Sequence, residues 1–365
     1  MGGKRIIIAG GGTGGHIFPA ISIGNALKKL DPTIELLFVG AKGRMEMEKI
    51  PQAGFNIKAV DIAGFNRSSL IKNIGLPFKL VKSFVQVRKI INEFKPDAVL
   101  GVGGYSSYPV LRYAQAKGIP TFIHESNSFA GKSNILLGKK ATKVFVATDG
   151  MEKFFTADRI MVTGNPVRAS IITVDSIDRR ESLSFFGLQE GRETLLVVGG
   201  SLGARSINEA VYNGLDELVN SGLQLIWQTG KLFAEKAKQK AKGYSTVWVN
   251  DFITQMEKAY AASDLVVSRA GAMAMTELCI VKKPVVFVPY PFAAEDHQTM
   301  NALNLVNKNA ALMVKDSEAN EKLVKLIVDL SRDQRKQEEL KNNISRFAIK
   351  NADTQIAEEI LRSIR

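Results

Sequence analysis

The sequence predicts an α/β protein of two doubly wound, Rossmann-like domains facing a central cleft. Three observations carry that expectation. Short apolar runs of β type alternate with helical patterns almost throughout the 365 residues, the rhythm of a parallel sheet covered by helices on both faces. The rhythm restarts, so that "IIIAGGGTGGH" (6–16) is answered by "LLVVGGSLGA" (195–204). Each restart places a glycine-rich turn directly behind a strand and before a helix, where such sheets bind phosphates. The length suits two ordinary domains.

The elements follow in order. "KRIIIAG", "IELLFVG", "PDAVLGVG", "PTFIHES" and "KVFVAT" read as strands, and 17–30, 78–94 and 107–117 as helices. After the restart, "LQLIWQTG", "STVWVN", "DLVVSR" and "KPVVFVPY" continue the alternation. Gly164, Asn165 and Pro166 interrupt it, which puts the linker near 162–171 and the domains at 1–163 and 164–345. The amphipathic stretch 352–365 packs on one domain or the other, and a helix over about 346–365 could return to the first.

Composition excludes several classes. No apolar run reaches the roughly 18 residues of a spanning helix, and the first is too short for a secretory signal, so a soluble or peripheral protein is expected. Cys279 is the single cysteine; in "MTELCIV" it reads as a buried small hydrophobe, and a reducing compartment fits. The formal charge of +13 suggests a polyanionic partner. Nucleic acid lacks a binding motif to support it. No cluster of metal-ligand type stands out, and neither metal nor cofactor is implied.

Gly10, Gly12 and Gly15 satisfy G-x-G-x-x-G, the mark of a dinucleotide site. The next strand argues against NAD, because Glu35 begins it and Lys42 and Arg44 follow its end, where an acidic residue would hold the ribose. An NADP oxidoreductase stays open. Further glycine clusters at 101–104 and 199–203 place ligand-binding turns in both halves, and no G-x-x-x-x-G-K-[ST] occurs, which disfavours a P-loop NTPase. The turn at 199–204 offers backbone N–H groups at a helix start and the Ser201 hydroxyl, donors suited to a diphosphate.

Six stretches, "GGTGGH" (11–16), "HESNSFAGKSN" (124–134), "GNPVR" (164–168), "GGSLGA" (199–204), "SRAGAMAMTEL" (268–278) and "PYPFAAEDHQTMNA" (289–302), resemble in order and spacing the motifs of the bacterial MurG family of glycosyltransferases, family 28. The resemblance implies the GT-B fold. It also implies inverting transfer of GlcNAc from UDP-GlcNAc to undecaprenyl-pyrophosphoryl-MurNAc-pentapeptide (lipid I), giving lipid II in peptidoglycan synthesis. It places Ser201 at the UDP pyrophosphate, Ala272, Met273, Ala274, Met275, Thr276 and Glu277 around the ribose and its neighbours, and the Ile253 backbone at the uracil. Gln298 and Asn127 meet the GlcNAc, with Asn301 near them, and Arg168 reaches phosphate. Thr13, Gly14 and Gly15 would hold the lipid diphosphate. The chain departs from the family at Ser126, commonly Gln, and Phe292, commonly His.

His16 stands at the first turn of a helix, where the dipole disfavours the imidazolium, as a general base requires. It is either that base or a ligand of the acceptor pyrophosphate. Glu125, beside His124 at a strand end facing the cleft, is the rival base. The basic, apolar stretch 66–95 adds a membrane expectation. Leu76, Phe78, Lys79, Leu80 and Lys82, with Lys139 and Lys140, suit an anionic membrane surface, while the helix from about 84 onward packs on its own sheet. This gives a peripheral protein on the cytoplasmic side of the inner membrane, with cell-wall and division machinery as further partners. A UDP-GlcNAc epimerase on the same plan and a non-enzymatic basic membrane-binding protein also remain.

Overall fold

The computed structural model describes residues 3–62 and 76–364. The chain divides into two compact units, one running through Val167 and resuming at Asn351, the other spanning Arg168–Lys350. Among the described residues, the first unit holds a seven-stranded parallel sheet. Its strands are β1 (Arg5–Ala9), β2 (Glu35–Ala41), β3 (Ile57–Val60), β4 (Ala98–Gly101), β5 (Thr121–Glu125), β6 (Lys143–Val146) and β7 (Ile160–Val162), in the order β3-β2-β1-β4-β5-β6-β7.

Burial explains why these runs are strands. Ile6, Ile7 and Ile8 are each at most 1% exposed, as a strand covered on both faces requires. Side chains alternate between faces. Ile7, Val99 and Ile123 enter one core with Val87, Ile91, Val110, Leu111 and Leu137. Ile6, Ile8, Leu100 and Phe122 enter the other with Ile17, Ile23 and Leu27. The helices Leu76–Phe94, Ser107–Ala116 and Lys132–Gly138 therefore cover one face, and Gly14–Leu30 covers the other. The helix Ala352–Ser363 joins this second layer: Ile356, Ala357 and Ile360 pack against Gly14–Leu30.

The second unit repeats the plan with β8 (Thr194–Val198), β9 (Gln224–Gln228), β10 (Val247–Asn250), β11 (Leu265–Ser268), β12 (Val285–Phe287) and β13 (Leu312–Met313). Among the described residues these form a six-stranded sheet in the order β10-β9-β8-β11-β12-β13, again parallel. Leu195, Val197, Leu225, Trp227, Leu265 and Val267 fill the core on one face. Cys279 is buried on the helix Ala272–Val281, and burial pushes its thiol up to about 12, which makes it inert.

Candidate active site

The strand order reverses between β1 and β4 in the first sheet and between β8 and β11 in the second. All four of these strands run straight into the turns that the sequence marks with small residues: 10–13, 102–105, 199–204 and 269–271. Ligands bind doubly wound sheets at such reversals, beyond the carboxyl ends of the strands. Each unit therefore carries its own binding edge.

In the first unit, backbone N–H groups can be accounted for one by one. Gly10 donates to the Val39 carbonyl, Gly11 to the Gly103 carbonyl, and His16 and Ile17 to the Thr13 carbonyl, all at 3.1–3.2 Å. Gly12 donates to a side chain, Glu46 Oε2, at 2.8 Å. The N–H groups of Thr13, Gly14 and Gly15 precede the first helical bond and have no helical carbonyl behind them. They lie at the positive end of the helix Gly14–Leu30, whose first turn carries no acid. His16 Nδ1 lies 3.1 Å from the Gly11 carbonyl. A carbonyl only accepts, so in the neutral ring the proton sits on Nδ1 and Nε2 is the acceptor.

Glu46 is the residue that sequence reasoning missed in this half. It is 1% exposed. Its Oε1 accepts from the Ala41 N–H at 3.0 Å while Oε2 takes Gly12. A Cβ at Gly11 would stand 2.3 Å from this carboxylate, so glycine there admits the acid under the loop. The carboxylate sets the loop's shape from below.

In the second unit, the turn 199–204 closes with Gly203 donating to the Gly200 carbonyl at 2.9 Å and leads into the helix Arg205–Asn213. Gly203 has φ +77°, and a Cβ there would lie 1.9 Å from the Thr229 carbonyl oxygen. Ser201 is exposed on this turn. The buried Gln228 ties the turn to its neighbour, donating to the Gly200 carbonyl at 2.9 Å and accepting from the Ile253 N–H at 3.0 Å. A third helix start, Ala272–Val281 after Gly271, also carries no acid in its first turn. Glu277 is 8% exposed on that helix. Its Oε1 accepts from Arg168 at 3.1 Å and its Oε2 from the Tyr260 hydroxyl at 3.1 Å.

The description "Glycosyltransferase family 28 N-terminal domain" matches residues 6–146, and "Glycosyltransferase family 28 C-terminal domain" matches 194–360. The chain belongs to glycosyltransferase family 28. It is 52% identical to the UDP-N-acetylglucosamine--N-acetylmuramyl-(pentapeptide) pyrophosphoryl-undecaprenol N-acetylglucosamine transferase of Phocaeicola vulgatus, over 98% of this chain and 96% of that one. The crystal structure of Acinetobacter baumannii MurG superposes with a TM-score of 0.82 at 28% identity, covering 98% of this chain and 99% of that one. A UDP-GlcNAc 2-epimerase from Neisseria meningitidis superposes at 0.68 with 15% identity, over 98% and 100% of the two chains, a likeness of fold alone. The two doubly wound sheets expected from the alternating pattern, and the GT-B fold that the resemblance implies, are observed.

Several of the residues expected at the site are buried. His124 is enclosed at the end of its strand. It is 1% exposed on β5, and neither ring nitrogen meets a partner in hydrogen-bond geometry, although Gly164 and Asn165 lie beside it. Burial drives its imidazole down to about 4, so the ring is neutral. Glu125, the expected rival base, is 4% exposed. Oε1 accepts from the Asn127 backbone and side-chain amides at 3.1 and 3.3 Å; Oε2 accepts from Gly131 N–H and Asn134 Nδ2 at 3.1 and 2.8 Å. Four donors match a carboxylate's capacity, so it organises the 125–134 turn and holds Asn127 rather than presenting a lone pair.

The helix Ala272–Val281 divides its residues. Ala272, Met273 and Ala274 lie at its half-exposed start. Met275 is buried and donates its N–H to the Gly271 carbonyl at 3.0 Å, and the Thr276 hydroxyl turns back to the Ala272 carbonyl. Both of these bonds lie within the turn that starts the helix. Asn301 is likewise 1% exposed, donating to the Ala270 carbonyl. Gln298 accepts from the Tyr290 N–H at 3.0 Å, which turns its amide nitrogen into the donor end.

Of the membrane expectation, residues 66–75 and the Leu76 side chain lie outside the described residues. Phe78, Lys79 and Leu80 are exposed, Phe78 at 80%, and so are Lys139 and Lys140. Lys82 is exposed but pairs with Asp61 at 2.8 Å. The sequence draws the packed part of the helix from about 84; Val81 and Val85, each 65% exposed, extend the outward apolar stripe one turn further. Ser83, Val87, Ile90 and Ile91 form the packed face. Among the described residues, no helix is long and apolar enough to cross a membrane.

Proposed function

We propose that this chain moves GlcNAc from UDP-GlcNAc to the C4 hydroxyl of MurNAc in undecaprenyl-pyrophosphoryl-MurNAc-pentapeptide, giving lipid II and UDP. The observation that carries the reading is the pair of strand-order reversals, each opening onto small-residue turns at helix starts, in a chain 52% identical over nearly its whole length to a transferase named for this donor and acceptor. The reaction is a single displacement. The bond from O4 to the anomeric carbon forms as the bond from that carbon to the UDP β-phosphate oxygen breaks. UDP leaves with the electron pair, and the configuration inverts from α to β.

Each unit supplies one set of contacts. In the second, first-turn N–H groups of the helices Arg205–Asn213 and Ala272–Val281, the Ser201 hydroxyl and Arg168 meet the charge that develops on UDP. Glu277 accepts from the ribose hydroxyls. Because the Ile253 N–H is held by Gln228, the base edge falls to the Ile253 carbonyl. The Gln298 amide donates to a GlcNAc hydroxyl, and Asn127 of the first unit adds a donor-sugar contact. Thr13, Gly14 and Gly15 hold the acceptor diphosphate. His16 takes the C4 proton on Nε2, the acceptor atom of the neutral tautomer.

The acceptor is lipid-linked, so the enzyme works at a membrane. The exposed stripe Phe78, Val81 and Val85, flanked by Lys79, and the exposed Leu136, Lys139 and Lys140 support docking on anionic lipid from the cytoplasmic side. Phe78, Val81, Val85 and Leu136 lie on helices covering one face of the first sheet, and Lys139 and Lys140 directly follow the second of these helices.

The test is transfer of radiolabelled GlcNAc to a short-chain lipid I analogue in EDTA, with wild type and His16→Ala side by side. Transfer by the wild type with a large loss of kcat in the variant supports the base role; a variant whose acceptor KM rises at constant kcat gives His16 a binding role instead. No transfer by folded wild type, with divalent metal restored, sinks the reading.

A further inference from the structure

Glu277 is the residue through which this unit meets the ribose on the reading above, and the inference here rests on that reading. A free glutamate at a binding edge samples several rotamers and loses that freedom when it captures a ligand. Glu277 is already held by two donors, and they differ. Arg168 approaches Oε1 from a side chain that is 42% exposed. Tyr260 approaches Oε2 from a ring that is 2% exposed, on the helix Met256–Ala262. The arginine can move to meet a diphosphate. The tyrosine is fixed by its packing and stays.

The lone pairs support the same division. A carboxylate offers about four acceptor positions. Arg168 and Tyr260 take one on each oxygen, which leaves two for the 2′ and 3′ hydroxyls of one ribose. A buried phenol also needs a partner for its hydroxyl, and phenylalanine would fill the same space without that need. Burial and the neighbouring Glu277 charge push the Tyr260 hydroxyl well above a phenol's ordinary range, so it remains a donor at any working pH.

We propose that Tyr260 is a positioning residue for the donor: its hydroxyl fixes Glu277 so that the remaining lone pairs face both ribose hydroxyls of a uridine diphosphate sugar. It acts through Glu277 and touches no substrate atom. Ile253 lies in the loop that leads into the helix of Tyr260, so base and ribose recognition come from adjoining stretches of chain.

The experiment is a substrate–variant cycle on the whole enzyme. Wild type and Tyr260→Phe are assayed with UDP-GlcNAc and with the donor whose uridine lacks the 2′ and 3′ hydroxyls. With UDP-GlcNAc the variant shows a donor KM raised on the order of tenfold, the scale of one hydrogen bond to a charged group, with kcat and acceptor KM little changed. With the dideoxy donor the variant and wild type coincide, because the contact that Tyr260 organises is gone. An equal loss on both donors, or no loss on either, overturns the inference while leaving Glu277 in place. A wild type that uses both donors equally well overturns the Glu277 reading and the inference with it. Calorimetric titration of UDP and dideoxy-UDP into both proteins provides the same comparison without turnover, and an unchanged acceptor KM certifies the fold.

Discussion

Replacing His124 by leucine should flatten the acid limb of this protein's stability curve. The buried imidazole is held down to about 4, from an ordinary value of 6.5, chiefly by desolvation. Between those values the unfolded chain takes up a proton that the folded chain refuses. The stabilisation is thus complete above about pH 6.5 and is lost as the pH falls toward 4. Each pH unit in that window costs about 1.4 kcal/mol, or roughly 2 kcal/mol by pH 5. Leucine has a similar size and no proton to bind, and it removes two ring nitrogens that meet no hydrogen-bond partner. The assay is urea denaturation followed by far-UV circular dichroism at pH 7.5, 6 and 5; both tryptophans, Trp227 and Trp248, belong to the second unit and would report on the wrong one. Contributions of other groups cancel in the difference between wild type and variant. Wild type should lose about 2 kcal/mol more than His124→Leu between pH 7.5 and 5. Parallel curves would refute the claim that this histidine is buried neutral.

Glu46→Gln should raise the acceptor KM by about tenfold and leave the donor KM alone, because an amide has one accepting oxygen for two N–H donors and must turn its own NH2 toward the other; steady-state kinetics with each substrate varied separates the two. Gly203→Ala should destabilise the second unit by roughly 2–3 kcal/mol, since it combines a left-handed backbone with a steric clash, and the midpoint of the tryptophan fluorescence transition would show it. Phe78→Asp combined with Val81→Asp should abolish sedimentation with anionic vesicles while preserving transfer to a water-soluble acceptor, as both positions are exposed.

The architecture was legible because its signals are local. "RIIIA" and "TLLVV" announce strands buried on both sides, and the glycine turns after them fall at the reversals of strand order. Cys279 read correctly for the same reason. Glu46 did not, because "RMEMEKI" looks like an ordinary charged helix and nothing near it tells that Gly12 and Ala41 will close on its carboxylate. Tyr260 and Gln228 were silent in the same way, since their partners lie 17 and 28 residues distant. Glu125 was legible as a motif member but not as a saturated carboxylate. The helix Ala352–Ser363 displayed an apolar stripe that proves burial but not against what.

That last helix has a consequence for synthesis. The first unit is discontinuous, and the layer over the helix Gly14–Leu30 is completed only by Ile356, Ala357 and Ile360. A ribosome adding 5–20 residues per second needs on the order of half a minute to travel from one helix to the other. Through that interval the nascent domain carries an unsealed hydrophobic seam, while the whole of the other unit is made and can fold behind it. Loss of the final helix by nonsense mutation or proteolysis would reopen that seam, leaving the second unit's chain intact and the first one exposed to chaperones and proteases.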